Sequence, residues 1–112
     1  MIEVSEMAAQ GDVLFRRVEQ LPPTVERRSE GPIIVAHSES GHHHAVHDPE
    51  TRLFEKVERD PMVFFLRVDG AFADVVHHRS YDTHETLRLS HGLWEVRRQR
   101  EWTPEGWEPV EV

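Results

Sequence analysis

The segment that decides the fold is the run Met62-Val63-Phe64-Phe65-Leu66-Arg67-Val68-Asp69-Gly70-Ala71-Phe72-Ala73-Asp74-Val75-Val76-His77. Its first half is apolar at every second position, the spacing at which strand side chains share one face. These positions are Met62, Phe64, Leu66 and Val68. Asp69-Gly70 supplies the positive φ angles of a type I′ turn. The run therefore predicts a hairpin of strands Met62–Val68 and Ala71–His77, in which replacing Gly70 by valine would strain the turn.

Shorter β patterns occur on both sides of this hairpin, and no long helical pattern is found. The predicted strands are Asp12–Val18, Pro32–Ala36, His42–His47, Leu53–Val57, Thr86–Leu89 and Leu93–Trp102. We expect a loop at Thr24–Gly31, a turn at Ser90-His91-Gly92 and irregular ends at about 1–10 and 103–112. This pattern predicts an all-β fold, a small antiparallel β-sandwich or barrel, formed by a single domain over 1–112.

Composition limits the classes of function. The chain has 112 residues and no cysteine, which excludes disulfides and thiolate zinc sites. Its formal charge of −8 argues against nucleic acid and anionic membranes as partners, despite the basic patch Arg97, Arg98 and Arg100. No apolar run is long enough to span a bilayer. We therefore expect a cytoplasmic protein whose candidate partner is a second copy of itself, as a homodimer.

The candidate chemistry lies in the stretch Gly41-His42-His43-His44-Ala45-Val46-His47-Asp48. In a strand, His42 and His44 project from the same face, about 6–7 Å apart along the backbone, close enough to share a metal ion. Val46 follows on that face, which indicates that the face turns toward an apolar interior. Imidazole ligands without thiolates suit zinc, iron, nickel or manganese, so a divalent transition metal is the predicted cofactor.

One strand face supplies only two ligands, so a stable site needs later histidines. His84 precedes a predicted strand and is the first candidate. His77 shares a face with Ala73 and Val75, whereas His78 shares one with Val76, so at most one of the two points inward with its neighbours. The predicted metal ligands are therefore His42, His44 and His84, with His77 or His78 as the fourth.

Three stretches resemble a family of small, poorly characterised proteins of bacteria and their phages. They are Gln10-Gly11-Asp12-Val13-Leu14, Val35-Ala36-His37-Ser38-Glu39-Ser40-Gly41-His42-His43-His44, and the segment from His84 to Gln99-Arg100-Glu101-Trp102. The resemblance carries no firm biochemical function. The His-any-His pair is also similar to the first motif of cupins, with Glu50 a poor match for the cupin glutamate, so the barrel is cupin-like by analogy of geometry only.

The sequence leaves two classes of function open. In one, the histidines hold a metal that activates water or polarises a bound oxygen, as in a metal-dependent enzyme of unknown substrate. In the other, a non-catalytic interaction or accessory protein uses the histidines structurally or as a pH sensor. A third reading, a nucleic-acid accessory protein, conflicts with the negative charge.

Overall fold

A computed structural model describes residues 1–27, 31–37, 43–58, 60, 62–78, 85–98, 100–103 and 106–109. At 36, 37, 43, 78, 100–103 and 106–109 it describes the backbone alone. The strands are β1 (Ile2–Val4), β2 (Met7–Gln10), β3 (Val13–Val18), β4 (Thr24–Arg27), β5 (Ile33–His37), β6 (His43–Val46), β7 (Thr51–Lys56), β8 (Val63–His78), β9 (Leu87–Arg98), β10 (Arg100–Thr103) and β11 (Gly106–Pro109). The described residues contain no helix, and the prediction of an all-β fold is confirmed.

The long strands β8 and β9 form the centre of a nine-stranded sheet. On the edge of β8 that faces away from β9, β7 pairs with the first half of β8 and β6 pairs with the second half. On the outer edge of β9, β1 pairs with the first half and β3 with the second. β2, β4 and β5 complete the sheet beside β3, β7 and β6 respectively. All pairs are antiparallel except β1 with β9, and the sheet is not closed into a barrel.

The predicted hairpin at Asp69-Gly70 is wrong, because both residues lie inside β8. Both halves of β8 pair with β9, and the register shifts between Val68 and Phe72. Gly70 does not have a positive φ. The backbone at this point has partners: Asp69 N–H donates to the carbonyl of Glu50. The local preference of Asp69-Gly70 for a turn does not prevail, because a continuous β8 forms backbone hydrogen bonds with β9 on one edge and with β7 and β6 on the other.

The register shift moves the buried face of β8 by one position. Phe64, Leu66 and Val68 are buried before it, and Ala73, Val75 and His77 are buried after it. In β9 the buried set changes from Leu87 and Leu89 to Trp94 and Val96 across Gly92, whose φ is 136°. A straight strand of 16 residues would be about 50 Å long. The longest dimension of the molecule is 39 Å, so β8 must bend.

Bending brings the two halves of the sheet around one hydrophobic core. The core side chains are Val4, Val13, Phe15, Ile33, Val35, Val46, Phe64, Leu66, Val68, Ala73, Val75, Leu87, Leu89, Trp94 and Val96. Hydrogen bonds also join the halves: the guanidinium of Arg98 donates to the carbonyl of Val35 at 3.4 Å. The sheet therefore surrounds one core without closing into a barrel, and the cupin-like geometry stays a prediction.

Other local expectations change as well. Ser90, His91 and Gly92 lie within β9 and form no turn. Part of the expected loop at Thr24–Gly31 is strand β4, and the expected irregular ends contain β1, β2 and β11. A tight turn follows Gln10, where Gly11 has a φ of 61° between the paired residues Gln10 and Val13. Within the described residues, no helix is long and apolar enough to cross a membrane.

Candidate histidine site

His44 and His77 face each other across neighbouring strands. They are paired residues of β6 and β8. Their ring centroids are 4.3 Å apart with an interplanar angle of 23°, so the rings are stacked. His44 is 6% exposed and His77 is 7% exposed. The structure therefore joins one histidine of the first predicted pair with one of the later candidates.

Period-two alternation places both rings inside. Val46 and Val75 are the next paired positions on the same face, and both are completely buried. The prediction that the face of His44 and Val46 turns inward is confirmed. The sequence left open whether His77 or His78 points inward, and in the structure His77 shares a buried face with Ala73 and Val75. The imidazoles continue an apolar row at the end of the core, where a polar ring must be satisfied by hydrogen bonds or a metal ion.

Gln10, the last residue of β2, supplies such a hydrogen bond. Its side chain is 2% exposed, and its Oε1 lies 2.8 Å from Nδ1 of His44. Its Nε2 donates to the carbonyl of Val75 at 3.0 Å and to the carbonyl of Glu85 at 2.8 Å. One amide thus links β2, β8, the residues before β9, and the ring of His44.

The three contacts fix which way the amide faces. Both partners on one side are carbonyl oxygens, which only accept, so the amide nitrogen must face them. The oxygen of Gln10 then faces His44 and accepts from Nδ1, which must carry a proton. In the neutral ring the lone pair is on Nε2. His44 is accordingly held with Nε2 as its metal-binding or proton-accepting atom.

Comparison with known families gives a match over most of the chain. Residues 9–99 match the family described as Domain of unknown function (DUF8820). The chain belongs to this family. Searches of the curated proteins and of the solved structures found no significant match. The expectation of a poorly characterised family is confirmed, and the family brings no activity or ligand with it.

The structure does not describe the side chains of the remaining predicted ligands. His42 and His84 lie outside the described residues. The backbone of His78 is described as the register partner of His43, and its side chain is not. Across the described ranges, no three or more His, Asp or Glu side chains are grouped so that they could hold a metal ion.

Two further histidines lie on the surface of the described part. His91 is exposed on β9, and its Nδ1 is 3.0 Å from the carbonyl of Gly70. This contact bridges the irregular segments of β8 and β9. His47 is exposed and lines a cleft of about 530 Å³ between β4, β7 and the start of β5. Neither belongs to the pair formed by His44 and His77.

A charged cluster on β8 and β9 has a structural role. Arg88 donates from Nε and Nη2 to the carboxylate of Asp74, at 2.8 and 3.0 Å. Its guanidinium also lies over the ring of Phe72, 3.6 Å from the centroid. The hydrogen bond to Asp74 raises the pKa of Arg88 above its ordinary value. The cluster stabilises the cross-strand pair Asp74–Arg88.

Sequence reasoning did not identify Gln10 as part of a site. A glutamine at the end of a short strand has no spacing that points to a histidine 34 residues away. The available signal was its position at the head of the Gln10-Gly11-Asp12 stretch that carries the family resemblance. The turn through Gly11 now explains part of that stretch, because its positive φ reverses the chain directly after Gln10.

Proposed function

We propose that this protein binds one divalent transition metal through His44 and His77. The observation that carries the proposal is a buried pair of imidazoles on adjacent strands, one of which is oriented through Nδ1 by a buried amide. Metal-ligating histidines commonly donate their second ring nitrogen to such a partner. Zinc, iron, nickel and manganese remain the candidate ions, since the donors are imidazoles and the chain has no thiolate.

The stacked rings must turn well apart to chelate one ion, because each nitrogen lone pair lies in its ring plane and the two planes are only 23° apart. His77 is the ring that turns, since His44 keeps its hydrogen bond to Gln10. A tetrahedral ion with Zn–N bonds of about 2.0–2.1 Å holds two ligand nitrogens about 3.4 Å apart. The ring centroids are 4.3 Å apart, so the ring of His77 must turn as the ion binds. Rotation about the second side-chain torsion supplies this movement, because that torsion is broad in histidine.

Further ligands are proposed from the sequence. His84 directly precedes Glu85, whose carbonyl accepts from Gln10, and His42 directly precedes β6. Both positions adjoin residues of the described site along the chain, which supports them as third and fourth ligands. His78 is the alternative fourth ligand. A site with three imidazoles would leave a coordination position for water or substrate, the arrangement of a metal-dependent enzyme.

The direct test is metal content after mild purification, followed by zinc titration calorimetry. His44→Asn and His77→Asn each remove one imidazole, and the asparagine at 44 retains a donor toward Gln10. We expect each variant to lose more affinity than the about 10–100-fold typical of removing an outer hydrogen-bond partner. His91→Asn is the matched control: it replaces an exposed imidazole and keeps a donor toward Gly70, so zinc affinity should not change.

Two outcomes would contradict the proposal. The first is a metal-free protein that binds none of the four ions. The second is equal zinc affinity in the wild type, His44→Asn and His77→Asn. His84→Asn separates the ligand sets, because it should weaken binding only if His84 completes the site.

The same pair favours one second candidate, a non-catalytic protein that senses pH. Protonating both rings would place two positive charges about 4.3 Å apart in a buried position, where they would repel each other. If a bound partner protein dissociates at acidic pH, and added metal ions do not change this dissociation, the result would support the pH-sensing protein over the metal-binding protein. For both candidate functions we propose a cytoplasmic protein, in line with the absence of cysteine. We also propose that the chain forms a homodimer, which a measurement of its oligomeric state in solution tests.

A further inference from the structure

Gln10 occupies a position that packing alone does not explain. An amide that is 2% exposed would normally be costly, and an apolar side chain would fill the same volume without that cost. All of its bonding groups are used in this structure: two protons go to backbone carbonyls, and the oxygen faces an imidazole. The side chain of Gln10 therefore connects the backbone carbonyls of Val75 and Glu85 to the ring nitrogen of His44 that carries the proton.

We infer that Gln10 is a positioning residue that fixes His44 as the Nδ1–H tautomer and so makes Nε2 the atom through which His44 binds metal. The second half of this inference rests on the proposed function; the tautomer does not. The carbonyls of Val75 and Glu85 hold the amide from the opposite side. Rotating the amide by half a turn would set its oxygen against both carbonyls, which no hydrogen bond can satisfy.

The assignment also specifies what His44 cannot do. An imidazole with Nδ1 bound to an acceptor presents only Nε2 to a metal ion or a proton donor. A ring that could exchange tautomers would offer either nitrogen to the metal ion. Such a ring would also lose rotational freedom when the ion binds. Orientation by Gln10 before the ion arrives reduces that loss, the advantage of a preorganised ligand.

The tautomer is read directly by long-range proton–nitrogen correlation spectra of ¹⁵N-histidine-labelled, metal-free protein at pH 8. His44→Asn assigns the signals by their disappearance. We expect His44 to show a protonated Nδ1 and an unprotonated Nε2. A protonated Nε2 with a bare Nδ1 would overturn the inference, whether or not the protein binds metal.

Two substitutions at position 10 separate positioning from packing. Gln10→Met keeps the approximate volume and removes the acceptor, so we expect a change of tautomer at His44 and a loss of zinc affinity of about 10–100-fold. Gln10→Glu keeps an acceptor for Nδ1–H, so the Nδ1–H tautomer should persist although the donors to Val75 and Glu85 are lost. An unchanged tautomer in Gln10→Met would overturn the inference.

Thr51→Val is the control for simple loss of a buried hydrogen bond. Thr51 is buried, and its hydroxyl donates to Asp48 at 2.8 Å, away from the histidine pair. It should lower stability without changing the His44 tautomer or zinc affinity. If the wild type shows the expected tautomer but binds no metal, the proposed function fails and the positioning role of Gln10 stands. If Gln10→Met does not fold, the wild-type spectrum still decides the tautomer.

Discussion

Side chains that lie in the core are the most predictable features of this protein at the scale of single residues. In the sequence Trp94 and Val96 alternate with Glu95 and Arg97, a pattern that predicts a core position for Trp94, and this side chain is completely buried. Its indole nitrogen donates to the carbonyl of Ser90 at 2.9 Å, which no sequence pattern shows. The bond crosses Gly92, so Trp94 ties together the two segments of β9 on either side of its irregular point.

Trp94→Phe should therefore lower the free energy of unfolding by about 1–3 kcal/mol, since it leaves a cavity and removes the partner of the Ser90 carbonyl. Urea unfolding measured by circular dichroism gives the value. Met7→Ala serves as the control, because Met7 is 61% exposed and its loss should change stability by no more than about 0.5 kcal/mol. Equal effects of the two substitutions would contradict the placement of Trp94.

At the scale of elements, two glycines near the bend have different roles. Gly92 has a φ of 136°, a region that side-chain-bearing residues rarely adopt. A Cβ there would also lie 2.8 Å from Nη2 of Arg17. Gly70 lacks a positive φ, and a Cβ there would meet only the side chain of Glu50, at 3.4 Å. The positive φ that the sequence assigns to Gly70 is found instead at Gly92, which lies inside β9 and forms no turn.

Gly92→Ala should destabilise the protein by about 1–3 kcal/mol because of its backbone conformation. Gly70→Ala should change stability by less than about 1 kcal/mol, since no positive φ is required. The pair is compared by thermal or urea unfolding under identical conditions. A larger effect at Gly70 than at Gly92 would favour the local hairpin that the sequence alone predicts.

For the molecule as a whole, the proposed metal site predicts that added zinc raises the stability of the folded chain. His44 and His77 join β6 to β8, and Gln10 joins the same site to β2, so an ion that binds there stabilises only the folded chain. Zinc at 100 times its dissociation constant should add about 2.7 kcal/mol to the free energy of unfolding. Proton competition should reduce this gain on going from pH 7.5 to pH 5.5, because metal binds the neutral imidazole.

Differential scanning fluorimetry with and without zinc at both pH values measures the change. His91→Asn should behave as the wild type, whereas His77→Asn should show no zinc-dependent shift. A zinc-dependent shift that persists in His77→Asn would contradict the linkage through this site.

Although it left open whether His77 or His78 points inward, the sequence by itself determined the β class, the buried face of the first half of β8 and the inward direction of His44. These follow from a period of two residues, which is set by local backbone geometry and needs no knowledge of partners. Its placement of His42 and His84 in the site stays a prediction.

Only the tertiary structure decided that Asp69-Gly70 continues a strand, and that Gln10 reaches His44 from 34 residues away. Both depend on which distant strands pair and where their register shifts. Such pairing is selected by the total burial and hydrogen bonding of the folded chain, so a strong local turn signal can lose to it.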